Sequence, residues 1–331
     1  MKILSALRTE LGQLSYSFKA RNTPRRWRDQ IAAIKGIRTF NLPPVHLYGA
    51  RTEVWGVSVV KNELDILPNV IEHMFAQGVD RILIADNLSD DGTTEYLQTA
   101  AARDPRIIYA HDNYNVHLQS EKMTWLSHLA WRHGARWIVP FDGDEFWYAP
   151  GQKLASFLRN SDKSVYYAGF HHTVPTIENP HDIVNTELVM DTADSFPGKV
   201  AFRSHPIAVV IPGNHNVHRL GGREHALNIV HLQYRSTTQI ARKVRVGTET
   251  ARRTGEDLGY FAPHWLAGSK LSDAEIAEVW ANISSGKPDE RIQFKAEGPM
   301  AHGKFLRWAT WNEDGSLDHL DNINATNGEG T

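Results

Sequence analysis

The 331-residue sequence predicts an α/β protein whose core is a mostly parallel β-sheet flanked by helices. Four short aliphatic runs alternate with three segments of helical periodicity between residues 54 and 141, and the connections are short. Beyond residue 150 the alternation becomes irregular, which indicates further strands and helices added to the same domain. The composition, with 41% hydrophobic and 22% charged residues, is that of an ordinary globular chain.

Each predicted strand is a β-branched or aliphatic run that suits burial on both faces of a sheet. The helices between them have apolar residues at spacings of three and four. In the first half, strands are predicted at 54–60, 81–85, 106–110 and 137–141, and helices at 66–75, 93–102 and 121–133. In the second half, strands are predicted at 165–170, 199–203, 207–211 and 228–232, and helices at 237–250 and 273–283.

The pattern divides the chain into four segments: 1–45, 46–150, 151–250 and 251–331. The first is a basic helical lead-in with nine basic and two acidic residues. It either packs on the domain as a solvated helix or lies on an anionic membrane surface. The last segment is a helical extension that ends in a polar, Asn-rich tail.

Several classes of protein are excluded by composition. The chain has no cysteine, so a disulfide scaffold, a thiolate zinc site and a cysteine nucleophile are ruled out. A net charge of −2 argues against a nucleic-acid partner. No apolar stretch is long enough to span a membrane, and no signal peptide is evident, so we expect a cytoplasmic protein, with peripheral membrane contact as an alternative.

Polar residues follow three of the predicted strands at the point where each strand ends. They are Lys61-Asn62-Glu63, Asp86-Asn87 and Asp142-Gly143-Asp144-Glu145. In a parallel sheet the carboxyl ends of the strands form the ligand-binding edge. Asp142 and Asp144, two residues apart around Gly143, could face one hard divalent cation, Mn²⁺ or Mg²⁺, which in turn could bridge a diphosphate. The alternative is a solvated surface turn.

Three motifs in sequence order resemble the family 2 glycosyltransferases of the GT-A fold. They are Val57-Ser-Val-Val-Lys-Asn-Glu63, Ala85-Asp-Asn-Leu-Ser-Asp-Asp-Gly-Thr93 and Phe141-Asp-Gly-Asp-Glu-Phe146. The third is similar to the branch whose metal motif reads Asp-x-Asp-Glu-Phe. No glycine-rich phosphate loop follows the first strand, which disfavours dinucleotide oxidoreductases and nucleoside triphosphatases.

The resemblance implies that residues 46–150 bind a nucleotide-sugar donor, and that 151–250 close the metal site and bind the acceptor. It implies that Val60, Lys61, Asn62 and Glu63 hold the base and ribose, with Asp86 as the acid that contacts the base. Lys122 falls where relatives place a polar residue that contacts the nucleotide. Asp142 and Asp144 match the metal-binding pair. Asp86 has helix capping as its alternative role.

Eight histidines lie between residues 171 and 231, so a histidine-ligated metallohydrolase is a competing interpretation. No H-E-x-x-H motif occurs, which argues against it. The resemblance implies instead one late histidine as a third metal ligand. We expect His231, which ends an apolar strand, with His215 as the second candidate.

The predicted activity is transfer of a sugar from a nucleotide-diphosphate sugar, with uridine as base, to a hydroxyl of a glycan or another acceptor, with inversion. Arg235 and Lys243 would stabilise the departing diphosphate together with the cation. A carboxylate must take the proton of the acceptor hydroxyl. The family's usual Glu-Asp pair is absent, so Glu224, with Asp182 and Asp191 as alternatives, is the predicted base. The same absence leaves an inactive nucleotide-sugar or glycan-binding protein as an alternative.

Overall fold

The computed structural model describes residues 11–15, 18–19, 24–46, 51–116, 118–252, 263–312 and 317–319. The first ten residues of the predicted lead-in lie outside these residues. The chain divides into two compact units. Unit 1 comprises Met1–Gly143, Gln152–Ala168 and Pro197–Leu227, and unit 2 comprises Asp144–Gly151, Gly169–Phe196 and Asn228–Thr331.

The regular elements are named in chain order. The helices are α1 (Pro24–Gly36), α2 (Leu67–Ala76), α3 (Thr93–Arg103), α4 (Gln119–Arg132), α5 (Leu154–Asn160), α6 (Thr237–Arg252), α7 (Pro263–Gly268) and α8 (Asp273–Ser284). The first strands are β1 (Ile37–Thr39), β2 (Glu53–Val60), β3 (Arg81–Asp86), β4 (Ile107–Asp112), β5 (Ala135–Pro140), β6 (Glu145–Tyr148), β7 (Val165–Pro175) and β8 (Leu188–Asp191). The remaining strands are β9 (Ser195–Arg203), β10 (Val209–Val210), β11 (Val217–His218), β12 (Arg223–His231), β13 (Met300–Gly303), β14 (Trp308–Trp311) and β15 (Leu317–His319).

Unit 1 is built on a mixed sheet with strand order β1-β4-β3-β2-β5-β9. The four inner strands β4, β3, β2 and β5 are parallel, and β1 and β9 are antiparallel to their neighbours. Helices α4 and α5 pack on β2. The predicted mostly parallel α/β sheet of GT-A type, flanked by helices, is therefore confirmed.

The core of unit 1 is formed by the aliphatic and aromatic residues of the inner strands. Trp55 and Trp137 are fully buried, and Trp55 packs in one cluster with Val57, Leu83 and Ile138. These strands are apolar on both faces because helices and loops cover both sides of a parallel sheet. The sheet therefore holds the loops at its carboxyl edge on a rigid base.

Unit 2 combines short antiparallel pairs with helices. β6 pairs with β12, β8 pairs with β13, and β14 pairs with β15. Its apolar core joins residues of α6 and α8 to the loop after β12, and includes Tyr234, Ile240 and Trp280. Helix α8 begins with a capping box in which Ser272 and Glu275 satisfy each other's backbone N–H groups.

Within the described part of the chain, none of the helices combines the length and apolar character needed to cross a bilayer.

Candidate functional sites

The loops at the carboxyl edge of unit 1 are joined by hydrogen bonds. After β2, the Asn62 N–H donates to the Ser89 hydroxyl at 2.9 Å, and the Asn62 side-chain oxygen accepts from the Asp90 N–H at 2.8 Å. The Glu63 N–H donates to the Thr93 hydroxyl at 3.2 Å. The loops that the sequence predicted at one edge therefore lie together and support each other.

Two glycines let these loops approach closely. Gly92 has φ +96°, a left-handed conformation, and a Cβ at this position would lie 2.9 Å from a methyl carbon of Leu64. A Cβ on Gly143 would lie 3.1 Å from the Glu63 side chain. The loop after β5 therefore lies against the loop after β2 within unit 1, and larger residues at either glycine would push the loops apart.

Asp86 ends β3 and is fully buried. Its Oδ2 accepts a hydrogen bond from the Thr94 hydroxyl at 2.7 Å and a longer one from the Ser89 N–H at 3.4 Å. Its Oδ1 is also buried but has no hydrogen-bond partner among the described residues. A buried carboxylate oxygen without a donor is costly, so this atom is suited to accept an N–H from a ligand.

Lys122 on α4 is held by the chain itself. Its ammonium lies 2.5 Å from Asp112 Oδ2 and also donates to the carbonyls of Tyr114 and Val116, both at 2.9 Å. The lysine is almost fully buried, and burial lowers its pKa although Asp112 acts in the opposite direction. These three contacts use its three N–H donors, so a direct contact with a nucleotide would require one to be released.

Asp142 follows β5 and is held by two buried side chains of unit 1. The Lys199 ammonium donates to Asp142 Oδ2 at 2.6 Å, and the Asn214 amide donates to Oδ1 at 3.3 Å. Lys199 is 3% exposed and Asn214 is fully buried. Both oxygens of Asp142 therefore face positive or partly positive groups rather than another carboxylate.

The chain passes from unit 1 to unit 2 between Gly143 and Asp144. Among the described residues, Asp144, Glu145 and His231 form a group whose potential metal-ligand atoms all lie within 4.8 Å of one another. The pairing of β6 with β12 creates it, because Glu145 is the residue opposite His231 and the Leu232 N–H donates to the Asp144 carbonyl at 3.0 Å. We call these three residues the acid–histidine cluster.

Cations surround Asp144, which is 2% exposed. The Lys243 ammonium lies 2.5 Å from Asp144 Oδ2, and the Arg235 guanidinium lies 3.8 Å from the same oxygen. His231 Nε2 lies 3.5 Å from Oδ1. Burial alone would raise the pKa of Asp144, but Lys243, His231 and Arg235 outweigh it and hold the pKa well below its usual value. Asp144 is therefore an anion at neutral pH.

His231 is positioned by packing. Its ring stacks on Phe170 with centroids 4.6 Å apart, and its Nδ1 is buried without a hydrogen-bond partner among the described residues. The neighbouring His172 lies 6.1 Å away between ring centroids, and burial together with the nearby His231 lowers its pKa to about 4. His172 is therefore neutral at pH 7 and accepts or donates a hydrogen bond with the Ser195 hydroxyl at 3.0 Å.

The three candidate bases differ in their surroundings. Glu224 on β12 is half-exposed, with the Lys163 ammonium 3.8 Å away. Asp182 is exposed, and its carboxylate accepts hydrogen bonds from the backbone and side chain of Asn185. The buried carboxylate of Asp191 accepts three backbone N–H groups, from residues 193, 297 and 298, at 2.7–3.0 Å.

The structure places the two predicted histidine ligands in different units. His231 joins the acid–histidine cluster, whereas His215 belongs to unit 1, where its Nδ1 lies 2.6 Å from the Gly198 carbonyl. The carbonyl can only accept, so Nδ1 carries the hydrogen there. The cluster contains a single histidine, and no group of three histidines is found among the described residues, so the structure gives no support to a histidine-ligated metallohydrolase.

Sequence reasoning missed four residues of these sites: Asp112, Glu145, Lys199 and Asn214. Two of them had a signal, since Asp112 ends an aliphatic strand as Asp86 does, and Glu145 directly follows Asp144. Lys199 and Asn214 had none, because only the folded chain brings them to Asp142.

The mostly parallel sheet flanked by helices is of the GT-A type, and the polar loops lie at its carboxyl edge. Residues 57–214 match the sequence model of the family described as "Glycosyl transferase family 2". This match covers slightly less than half of the chain, and it confirms the prediction of a glycosyltransferase. No curated protein matches the chain significantly.

Solved structures similar to this chain include two of TarS from S. aureus. TarS 1-349 shows 9% identity and a TM-score of 0.35, with 69% of each chain covered. The same protein in complex with UDP shows 8% identity and a TM-score of 0.35, with 69% of this chain and 70% of that chain covered. HddC from Yersinia pseudotuberculosis shows 14% identity and a TM-score of 0.27, with 46% of this chain and 70% of that chain covered.

Proposed function

We propose that this chain is a metal-dependent glycosyltransferase that transfers a sugar from a nucleotide-diphosphate sugar to a hydroxyl of a glycan or another acceptor. Uridine is the proposed base, and inversion the proposed outcome. The observation that carries the proposal is the acid–histidine cluster, of which Asp144 and Glu145 lie within the stretch that matches the family model. The remaining support comes from the polar edge of unit 1.

The acid–histidine cluster suits a divalent cation. It offers two carboxylates and one imidazole, whose Nε2 lies 3.5 Å from Asp144 Oδ1. This mixed donor set fits Mn²⁺ better than Mg²⁺, which prefers oxygen ligands throughout. Lys243 contacts Asp144 Oδ2, whereas Oδ1 faces His231. We therefore propose that Asp144, Glu145 and His231 hold Mn²⁺. The bound cation supplies positive charge that stabilises a departing diphosphate.

Two basic residues near the cluster have a proposed electrostatic role. Arg235 is 3% exposed and donates to the Leu232 carbonyl at 2.8 Å, so its position is fixed before any ligand binds. Lys243 also donates to the Gln233 carbonyl at 3.3 Å. Fixed cations stabilise developing negative charge without reorganising during the reaction, which is why they are effective on a leaving phosphate.

We propose that the edge of unit 1 recognises the nucleoside. Asp86 would accept an N–H of the base at its unpartnered Oδ1, as uracil offers at one ring nitrogen. Val60 ends β2, and Lys61, Asn62 and Glu63 form the adjoining loop, in which Lys61 donates to the Asn115 side chain at 3.3 Å. Lys122 would act indirectly, by holding residues 112–116 in place.

The proposed general base is Glu224. Its half-exposed carboxylate can be reached by an acceptor hydroxyl, whereas Asp191 already accepts three backbone N–H groups. Asp182 remains the second candidate. The base would take the proton of the acceptor hydroxyl as its oxygen attacks the anomeric carbon, and the bond to the diphosphate oxygen breaks.

Calorimetry with Mn²⁺, Mg²⁺ and a panel of nucleoside diphosphates tests this proposal. We expect UDP to bind more tightly with Mn²⁺ than without it, and UDP-sugars to be hydrolysed slowly. Asp144→Asn should lose the effect of Mn²⁺ on binding. Asp289→Asn is the matched control, because Asp289 is also a buried aspartate of unit 2 but bonds to Arg291. Failure of every nucleoside diphosphate to bind, with or without metal, would end the proposal.

A further inference from the structure

Helix α1 exposes an apolar stripe. Trp27, Ile31 and Ile34 are 57%, 44% and 36% exposed, and their spacing of four and three residues places them on one side of the helix within about 60° of arc. Another side of the helix packs on unit 1, where Ala33 is fully buried and α1 contacts α4. We call Trp27, Ile31 and Ile34 the α1 stripe.

The chain before α1 carries a second set of exposed apolar residues. Leu11 is 63% exposed and Phe18 is 72% exposed, and with Leu14 they follow the same spacing of three and four residues. Isolated exposed apolar residues are normal on a protein surface. Here six large apolar side chains between residues 11 and 34 are exposed, and three of them share one side of α1.

Basic residues border the α1 stripe on both sides. Arg28 and Lys35 lie on one flank and Arg26 on the other, and all three are exposed. Residues 1–45 contain nine basic and two acidic residues, whereas the whole chain has a net charge of −2. The positive charge is therefore concentrated in this segment, and the rest of the chain is net negative.

We propose that the α1 stripe docks on an anionic lipid bilayer. In this arrangement Trp27, Ile31 and Ile34 enter the boundary between headgroups and acyl chains, while Arg28 and Lys35 contact lipid phosphates. The central aromatic and aliphatic stripe suits the apolar side of that boundary, and the basic flanks suit the anionic headgroups. The docking would bring a transferase to acceptors that are carried on a membrane.

Two other occupants fit the surface less well. A symmetric contact between two copies would bring the same patch face to face, so that the basic flanks of both copies would repel each other. Nucleic acid would match the basic flanks but would leave the central stripe uncovered, because its phosphates make no apolar contact. A bilayer is the partner that satisfies the charge and the apolar area together.

Vesicle flotation of the full chain tests the proposal. The vesicles contain zwitterionic phosphatidylcholine, with or without about 30% anionic phosphatidylglycerol. We expect binding to the anionic vesicles at about 50 mM NaCl, weak binding to the zwitterionic ones, and a loss of binding at about 500 mM NaCl because salt screens the charges. Arg28→Gln combined with Lys35→Gln should weaken binding about 25-fold, because each lost charge weakens it about fivefold.

A variant with Trp27→Ser, Ile31→Ser and Ile34→Ser should weaken vesicle binding at least ~100-fold. The matched control is Ile177→Ser with Phe196→Ser, two exposed apolar residues of unit 2 that are 57% and 53% exposed. Thermal melts of both variants show whether they are folded. Equal flotation of the wild type and the stripe variant, or no flotation of the wild type on anionic vesicles, overturns the proposal. So does sedimentation showing a wild-type dimer that the stripe variant loses, or DNA binding in place of vesicle binding.

Discussion

Two buried aspartates lie 2.5 Å from a lysine ammonium, Asp112 from Lys122 in unit 1 and Asp144 from Lys243 in unit 2. Around Asp112 the polar groups satisfy each other. Asn87 donates to Asp112 Oδ2 at 2.8 Å and the Tyr114 N–H donates to Oδ1 at 3.1 Å. Both oxygens of Asp112 therefore have partners without a ligand, and these contacts hold the loop that follows β4 in place.

Around Asp144 the surroundings differ. A second carboxylate, Glu145, and an imidazole lie within 4.8 Å, and that imidazole has a buried nitrogen without a partner among the described residues. The lysine–aspartate distance is therefore the same in a structural pair and at the proposed metal site. The difference lies in whether the surrounding donors and acceptors match without a ligand.

The largest expected effect is on stability, when the Lys122–Asp112 pair of unit 1 is broken. Lys122→Met leaves Asp112 buried without its cation and should lower the free energy of unfolding by about 3–5 kcal/mol. Urea denaturation measures the change. Lys163→Met is the control, because Lys163 pairs with exposed Asp162 and should change stability by less than about 1 kcal/mol. A Lys122→Met protein of wild-type stability that binds nucleotide weakly would instead make Lys122 a ligand-binding residue.

The next effect is on turnover. Asp144→Asn should lower kcat about 10²–10³-fold, as expected when a preorganised charge at a reacting phosphate is lost. Donor hydrolysis followed by nucleotide release measures the rate. Glu145→Gln should lower it in the same direction, with a weaker response to Mn²⁺. Unchanged turnover in both variants would show that Asp144, like Asp112, has only a structural role.

A smaller effect is expected at Asp86. Asp86→Asn keeps the shape of the side chain but removes the charge of its unpartnered oxygen, and should raise the Kd for UDP about tenfold. Asp90→Asn is the control, because Asp90 is exposed and contributes its backbone N–H to the loop. Calorimetry distinguishes the two. Equal affinity of the Asp86→Asn variant and the wild type would make Asp86 a residue that only closes the turn with Thr94.

The smallest expected effect is on the pH dependence of stability. It concerns Asp289 of unit 2, whose carboxylate, like that of Asp112, is paired within the chain. Burial acts to raise the pKa of Asp289, but hydrogen bonds from Arg291 and Asn282 outweigh it and lower the pKa. Ionised Asp289 therefore adds stability that is complete above its unfolded pKa and is lost as pH falls through the lower folded value. Asp289→Asn should cost about 1 kcal/mol at pH 7 and less at about pH 3. A cost that stayed constant over this range would show that charge plays no part.

Much of the fold could be predicted from the sequence. The four inner strands were expected within two residues of their observed bounds, as for β2, predicted at 54–60 and observed at Glu53–Val60. Helices α6 and α8 were also predicted with nearly the observed bounds. Local periodicity is sufficient here because each element buries a long apolar face. The position of the polar residues could then be predicted as well, because the carboxyl ends of parallel strands meet at one edge of a sheet.

The short strands could not be predicted in this way. β6 is only Glu145–Tyr148, and it is a strand because it pairs with β12 from far along the chain. β1, with three residues, depends likewise on its pairing with β4. Segments this short carry no detectable period, so their state is decided by their partners.

The apolar runs and the residues that directly follow them predicted the sheet, its polar edge and the candidate residues Asp86, Asp142 and Asp144, and the family resemblance added His231. Only the tertiary structure decided which charges meet. It placed Lys199 and Asn214 on Asp142, Lys243 on Asp144, and Glu145 opposite His231. These contacts join residues up to 99 positions apart, and the strength of a buried charge contact depends on distance and burial that no local pattern records.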